Sequence, residues 1–447
     1  MTDLAQLTAD LLETALAKGA DAADAVASEG TSLSIEVRDG ALEHAERSEG
    51  IEIGIRVLLG KRQACVSASD VRPETLDEIA GRAIEMARIA PEDPYIGLAD
   101  ADQIARDWDI EALDLFDPAP DPSPADLEDA ARRAEAAALA VDGISKVQSA
   151  GAYLSRSAIH LAATNGFSGG YARSGHGLSA VAITGEGTAM ERDYYGETRV
   201  YQSDVPDAET VGRLAAERAL ARAGARKPKT GAYPVLYDER VASSLIGHLL
   251  QAANGASVAR GSSWLMGKVG EQVLPASLSI IEDPHRARVG GSKPFDGEGL
   301  PTRRRAIVEN GVLTGWTLDL ATARKLGMES TASAARGPSA PPSPSVGNIA
   351  LTEGTASRDD LLADMGTGLL VTSLIGSSIN PTTGNYSRGA SGFWVENGEI
   401  AYPVNECTIA GNLIDMLMTL VPANDGRDWT SRVVPSLLVE GLTIAGE

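Results

Sequence analysis

The sequence predicts an α+β protein. An α/β N-terminal domain of antiparallel strands with flanking helices spans residues 1–228, and a β-rich C-terminal domain, barrel-like or a sandwich, spans residues 229–447. Three observations predict it. Apolar and polar residues alternate, the period of a half-buried strand, at Leu33, Ile35 and Val37 and again at Ile51, Ile53, Ile55 and Val57. Apolar residues recur at helical spacing over 3–18 and 73–89. Asn-Gly pairs sit between β-type runs in both halves, and Asn-Gly tolerates the positive φ that tight hairpins demand.

The elements follow in order. Leu4, Leu7, Leu11 and Leu12 share a face of the first helix, and Lys18-Gly19 supplies its stop. Asp39-Gly40 and Gly60-Lys61 mark the turns of the strand region. The helix over 73–89 opens at Pro73 and carries Leu76, Ile79, Ala80, Ala83 and Ala87 on one face. Residues 117–124, alternating Pro with Asp, Ala and Ser, read as a stiff, exposed connector. An Ala-rich helix (125–140), a β-meander (144–201, hairpin at Asn165-Gly166) and a helix (207–224) follow. The basic stretch Arg226–Gly231 marks the main domain boundary, and the second half opens with a strand (232–237) and a helix (239–253). Val308-Glu-Asn-Gly311 and Val395-Glu-Asn-Gly398 are the same tetrapeptide, each read as a type I′ hairpin. Residues 333–345, rich in Ser and Pro, read as an exposed mobile loop.

Composition narrows the function. The chain has 447 residues, too many for one ordinary core, with 43% hydrophobic and 23% charged residues, as in globular proteins. A net charge of -23 repels phosphate backbones and argues against a nucleic-acid partner. The two cysteines, Cys65 and Cys407, form no disulfide framework, which fits a reducing cytosol. The N-terminal residues lack a signal-peptide pattern, and no apolar stretch is long enough to span a bilayer, so the expectation is a cytoplasmic protein away from membranes.

A catalytic metal needs about three protein ligands, an open position for water, and usually a Glu to take the water's proton. The five histidines are His44, His160, His176, His248 and His285. No two lie within five residues of each other, and none is followed by Glu. Cys407 reads as a core residue. Gly175-x-Gly177 and Gly366-x-Gly368 lack a P-loop or full dinucleotide fingerprint, and no GxSxG elbow occurs. Asp296 and Glu298, two apart in a Gly-rich turn, read as turn caps before cation ligands. Arg303, Arg304 and Arg305 read as a short cluster pairing with carboxylates across an interface.

Three groups of motifs carry a resemblance. The first is Thr230-Gly-Ala-Tyr-Pro-Val235, Val241–Leu245 and Gly261-Ser-Ser-Trp264. The second is Pro294-Phe-Asp-Gly-Glu-Gly299, Ile307–Val312 and Ala323-Arg-Lys-Leu-Gly327. The third is Met365–Gly368, Gly384-Asn-Tyr-Ser-Arg-Gly389, Gly392–Ile400, Tyr402-Pro-Val404 and Thr408–Leu413. In this order they resemble the TldD/PmbA family, and the wording around 384–398 resembles its PmbA/TldE branch. The resemblance implies a cytosolic metal-dependent peptidase that works as a heterodimer and cuts unfolded peptides in a closed chamber. One subunit carries HExxxH on a helix, with a Cys near its C-terminus as a further ligand; the PmbA/TldE subunit completes the chamber without metal.

This chain fits the second role. Its counterpart of the metal helix, Ser243–Ala253, holds His248, followed by Leu249 and, five residues on, Ala253. Registered instead from Gly261, the motif falls on Ile246, Gly247 and Gln251, and the C-terminal Cys falls near Val434-Pro435. His248 reads first as a structural histidine and second as a ligand. No catalytic residue and no cofactor is therefore assigned to this chain, and zinc is expected in an HExxxH-bearing partner. Strand edges bind extended peptides through backbone hydrogen bonds, and Gly384–Gly389 is a candidate edge. Tyr386, Ser387 and Arg388 are the candidates for lining the substrate cavity or the subunit interface. A homodimer, an independent metallopeptidase using His248 with carboxylates, and a non-enzymatic peptide-binding or gyrase-modulating protein are the alternatives.

Overall fold

The alternation at 33–37 and 51–57 becomes two long paired strands in the computed structural model, which describes residues 3–447. The N-terminal part runs α1 (Leu4–Ala17), β1 (Ala22–Arg38), β2 (Ala41–Leu59), β3 (Arg62–Ala68), α2 (Pro73–Ile89), α3 (Ile110–Leu113), α4 (Pro124–Leu139), β4 (Ile144–Ala163), β5 (Ser168–Thr184), β6 (Glu191–Arg199) and α5 (Ala208–Ala221). Its strands form one antiparallel sheet in the order β3-β2-β1-β4-β5-β6. Asp39 (φ 53°) and Gly40 (φ 68°) both take the left-handed region, as a type I′ turn requires. β3 covers β2 only from Ile53 onward, so, among the described residues, positions 41–52 have a strand on one side alone.

The helices pack on this sheet through small side chains. Leu11, Ile79 and Ala83 meet Ile53 and Ile55 in one cluster, and Ala131, Ala134 and Ala215 meet Ala150 and Ala180 in another. α4 and α5 approach so closely that a Cβ on Gly212 would lie 2.0 Å from the Ala134 carbonyl oxygen. This is why a chain poor in aromatics still closes its core.

The C-terminal part runs β7 (Gly231–Tyr237), α6 (Glu239–Ala252), α7 (Gly255–Ala259), β8 (Ile280–Glu282), β9 (Arg305–Glu309), β10 (Val312–Leu313), α8 (Leu320–Leu326), β11 (Ala334–Ala335), β12 (Ser343–Pro344), β13 (Ile349–Leu351), α9 (Arg358–Met365), β14 (Gly368–Ile379), β15 (Asn385–Glu396), β16 (Glu399–Asn412), α10 (Leu413–Met418), β17 (Val421–Pro422), β18 (Arg432–Val433) and β19 (Leu437–Ala445). Strands β16-β15-β14-β7-β19 close into a five-stranded barrel through the β16–β19 pairing. A second sheet has the order β10-β9-β8-β13-β18. The repeated Glu-Asn-Gly turns are both type I′, with Asn310 and Gly311 at φ 49° and 81° and Asn397 and Gly398 at 54° and 80°. α6 buries Leu245, Ile246 and Leu249 in the same core as Val235, Leu369 and Ile409 of the barrel. Among the described residues, no helix is long and apolar enough to cross a membrane.

Two sequence expectations need correction, and a third gains an anchor. Residues 333–345 are not a free loop. Ser333 and Ala334 are buried, β11 pairs with β12, and the Arg336 side chain is buried in an ion pair with Asp24 of β1. The connector over 117–124 is exposed as expected at Pro118–Asp121 and at Ser123 and Pro124, and it is anchored at its start, where the buried Asp117 carboxylate accepts from the Ala119 and Gln202 N–H groups, each at 2.9 Å. Arg305 turns inward, donating to Glu282 at 2.7 Å and to Thr317 at 3.0 Å, so it serves no surface partner.

Candidate functional site

The Asp238 side chain caps α6, accepting from the Arg240 N–H at 3.2 Å, and the helix carries His248 toward the barrel. The His248 ring meets Tyr386 edge-to-face, with centroids 5.8 Å apart. Its buried Nε2 has no hydrogen-bond partner. Burial lowers the His248 pKa and the Arg388 charge acts in the same direction, so the ring is held neutral. Tyr386 is 3% exposed and its hydroxyl lies 3.4 Å from that of Tyr237. Burial pushes both phenols up.

The three residues singled out on β15 therefore part company. Tyr386 is enclosed in the core, Ser387 is half-buried, and Arg388 lines a large cleft, with its Nε donating to the Gly376 carbonyl at 2.7 Å. Gly384–Gly389 is not a free edge either. From Asn385 on, the segment is β15, paired with β14 on one side and β16 on the other, and its backbone groups are already used.

The residues of α6 do not fit a metal. Ile246 is fully buried in the core. Gly247 and Gln251 line a cavity of 170 Å³ together with Arg432. The Arg432 guanidinium lies 3.4 Å from where a side chain on Gly247 would begin, so a cation stands where a ligand would have to hold one. Among the described residues, no three His, Cys, Asp or Glu side chains converge as a ligand set. Val434, near the expected Cys position, is packed in the core. Cys407 is buried, its thiol pushed up to about 11 by burial and donating to the Ala390 carbonyl at 3.2 Å. Asp296 and Glu298 cap a turn. The Asp296 carboxylate accepts three backbone N–H groups, from Glu298, Leu300 and Ala334, and Glu298 accepts one from Leu320. Burial, then the Asp296 charge, raises the Glu298 pKa well above the usual carboxylate range.

The cleft at Arg388 has a volume of 1030 Å³ and lies between β5 and β6 on one side and α6, β14 and β15 on the other. Two sheet edges border it. β6 is the last strand of its sheet, and β14 pairs with β7 only over Leu369–Val371, which leaves Ser373–Ile379 without a strand on that side among the described residues. Thr372 Oγ1 is buried there without a partner, and Ile375 is 71% exposed. Charge is dense: Arg240 lies 3.3 Å from Asp193 and 2.9 Å from Asp238, and Arg222 donates to Ser391 at 3.1 Å. Sequence reading missed Asp193, Arg222 and Arg240, because they come from three elements and form no local motif.

The chain thus joins an antiparallel sheet unit to a closed five-stranded barrel with a helix packed against that barrel, and its class follows from sequence and structural relatives. The chain belongs to the PmbA/TldD metallopeptidase family. Residues 230–446 match the PmbA/TldA metallopeptidase C-terminal domain, 117–223 the central domain and 23–87 domain 1. It is 38% identical over 446 residues to metalloprotease PmbA of Escherichia coli O157:H7, covering 99% of this chain and 96% of that one. A crystal structure from Bacteroides thetaiotaomicron, of a protein named for modulation of DNA gyrase, superposes with a TM-score of 0.91 at 27% identity over 99% of this chain and 98% of that one. TldE from Thermococcus kodakarensis shares the fold, with a TM-score of 0.85 at 21% identity over 98% of this chain and 100% of that one.

Proposed function

We propose that this chain is the TldE-type subunit of a cytosolic metal-dependent peptidase that cleaves unfolded peptides. It builds part of the substrate chamber while an HExxxH-bearing partner holds the zinc. The observation that carries this reading is on α6: the helix that bears the metal motif in the partner type presents Gly247 and Gln251 here, with Arg432 behind them. The cleft supports a substrate role. An extended peptide adds to an open strand edge through main-chain hydrogen bonds that ignore sequence, and Ser373–Ile379 of β14 offers such an edge beside Arg388. Folded proteins have few extended segments free to enter, which favours unfolded substrates.

The test is co-expression with the cell's HExxxH paralogue. A stable heterodimer is expected, with zinc stoichiometric with the partner and cleavage of an unfolded peptide by the complex only. Stoichiometric zinc and activity in the isolated chain would sink the proposal, as would the absence of any complex.

A further inference from the structure

A second cavity, of 410 Å³, lies away from the Arg388 cleft, where β4 and β5 meet the segments around residues 293–297 and 334–347. Its size is within the ~300–1,000 Å³ typical of small-ligand pockets. Part of its lining is apolar, with Leu161, Tyr171 and Phe295. The lining also carries four cations, Arg173, Lys293, Arg336 and Arg432, with the Arg173 guanidinium over the Tyr171 ring at 4.9 Å from its centroid.

Their partners decide what the cavity lacks. Arg336 has a counter-charge in Asp24, which it shares with Arg56. Arg173 is held by neutral groups, the carbonyls of Gly290 at 2.7 Å and Ser292 at 2.6 Å and the Tyr171 hydroxyl at 3.2 Å. Its Nε, and that of Arg336, are buried without partners. Lys293 reaches, among the described residues, only the Ala334 carbonyl, at 3.3 Å. Among the described residues, neither Arg173, Lys293 nor Arg432 has a carboxylate within ion-pair distance. The single carboxylate of the lining, Asp296, is occupied by three backbone N–H groups. The nearby Glu282 is taken by Arg305 at 2.7 Å and by the Gly347 N–H at 2.6 Å. Arg173 and Lys293 are half-buried and without counter-ions, which is costly, and an anion delivered on an apolar body relieves that cost while covering the apolar part of the lining.

We propose that this cavity binds a carboxylate carried on an apolar body, the chemistry shared by the C-terminal end of an apolar peptide and a medium-chain fatty acid. The site needs neither a metal nor a partner, so its failure would leave the subunit reading standing.

Isothermal titration of the full chain tests it with three probes: N-acetyl-leucyl-phenylalanine, the C-terminal amide of that dipeptide, and octanoate. At least one acid is expected to bind, and the tighter of the two identifies the source. The amide is expected to bind about tenfold more weakly than the dipeptide acid if that acid is the ligand. Lys293→Met and Arg432→Gln are each expected to weaken the bound acid by about tenfold. Arg432 is exposed, so its variant keeps the fold even if Lys293→Met does not. No binding of either acid at millimolar concentration would overturn the proposal. So would equal affinity for the dipeptide acid and its amide with no octanoate binding, or unchanged affinity in Arg432→Gln together with a folded Lys293→Met.

Discussion

Asp24 and Arg336, 312 positions apart in the chain, form a buried ion pair, with side chains 6% and 1% exposed. Asp24 also accepts from Arg56 Nε at 2.6 Å, so one carboxylate serves two guanidiniums. The pair ties the first strand of the N-terminal sheet to a segment of the C-terminal half.

Removing the carboxylate leaves two buried cations unpaired. Asp24→Asn is expected to lose about 3–5 kcal/mol of stability in urea denaturation, because stranded buried charge is costly. A loss of about 1 kcal/mol or less would mean that water screens the pair.

Gly54 provides a second handle on the same contact. A Cβ there would lie 1.9 Å from the Pro338 carbonyl oxygen, and backbone cannot yield as a flexible side chain does. Gly54→Ala is expected to cost about 1–3 kcal/mol and to expose residues 336–343 to limited proteolysis. A protease-resistant variant of wild-type stability would contradict the packing.

His176 makes stability depend on pH. It is 1% exposed, neither ring nitrogen has a hydrogen-bond partner, and Asp117 is 3.6 Å away. Burial lowers its pKa more than Asp117 raises it. The unfolded chain thus takes up the proton first as pH falls through about 6.5. The contribution is complete above that pH and is lost below it, at no more than about 1.4 kcal/mol per pH unit. Urea midpoints at about pH 7.5 and pH 5.5 should differ less in His176→Leu than in the wild type; an unchanged difference counts against this assignment.

The two thiols should separate under alkylation. Cys407 is buried with its thiol near 11, whereas Cys65 is half-buried. Iodoacetamide should label Cys65 at least about tenfold faster in the native protein, with Cys407 reacting only after unfolding. Mass spectrometry of the labelled peptides reads the order, and fast native labelling of Cys407 would refute it.

Arg388 bears on the proposed substrate cleft. In the complex with an HExxxH partner, Arg388→Ala is expected to raise KM for an unfolded peptide by about tenfold while leaving zinc content intact. An unchanged KM would remove Arg388 from the substrate's path.

Local chemistry was the legible part. Asp39-Gly40, Asn310-Gly311 and Asn397-Gly398 each announce a hairpin because few other pairs accept positive φ twice. Pro73 placed the start of α2, and alternation placed β1 and β2. The remainder depends on distance along the chain. Nothing near Arg336 reveals that its partner is Asp24, so a Ser/Pro-rich stretch read as a loop is in fact pinned. Barrel closure through Thr408 and Ala445 has no local signal either. Tyr386, Ser387 and Arg388 form one run of candidates for the cavity or the interface, and their depth has no local signal: Tyr386 is enclosed in the core, whereas Arg388 lines the cleft.

The overhang of β2 has a colloidal consequence. Its one-sided stretch carries Glu43, Glu46, Glu49 and Glu52, and residues 41–50 are exposed. An open row of backbone donors and acceptors invites pairing with the same strand of another molecule. Glu43 and Glu49 are paired with Arg38 and Arg47, and the remaining carboxylates, Glu46 and Glu52, set copy against copy through mutual repulsion. Some of the chain's acidity thus works as a guard against fibre-like stacking, and replacing these glutamates with glutamine would turn a lone ribbon into a template.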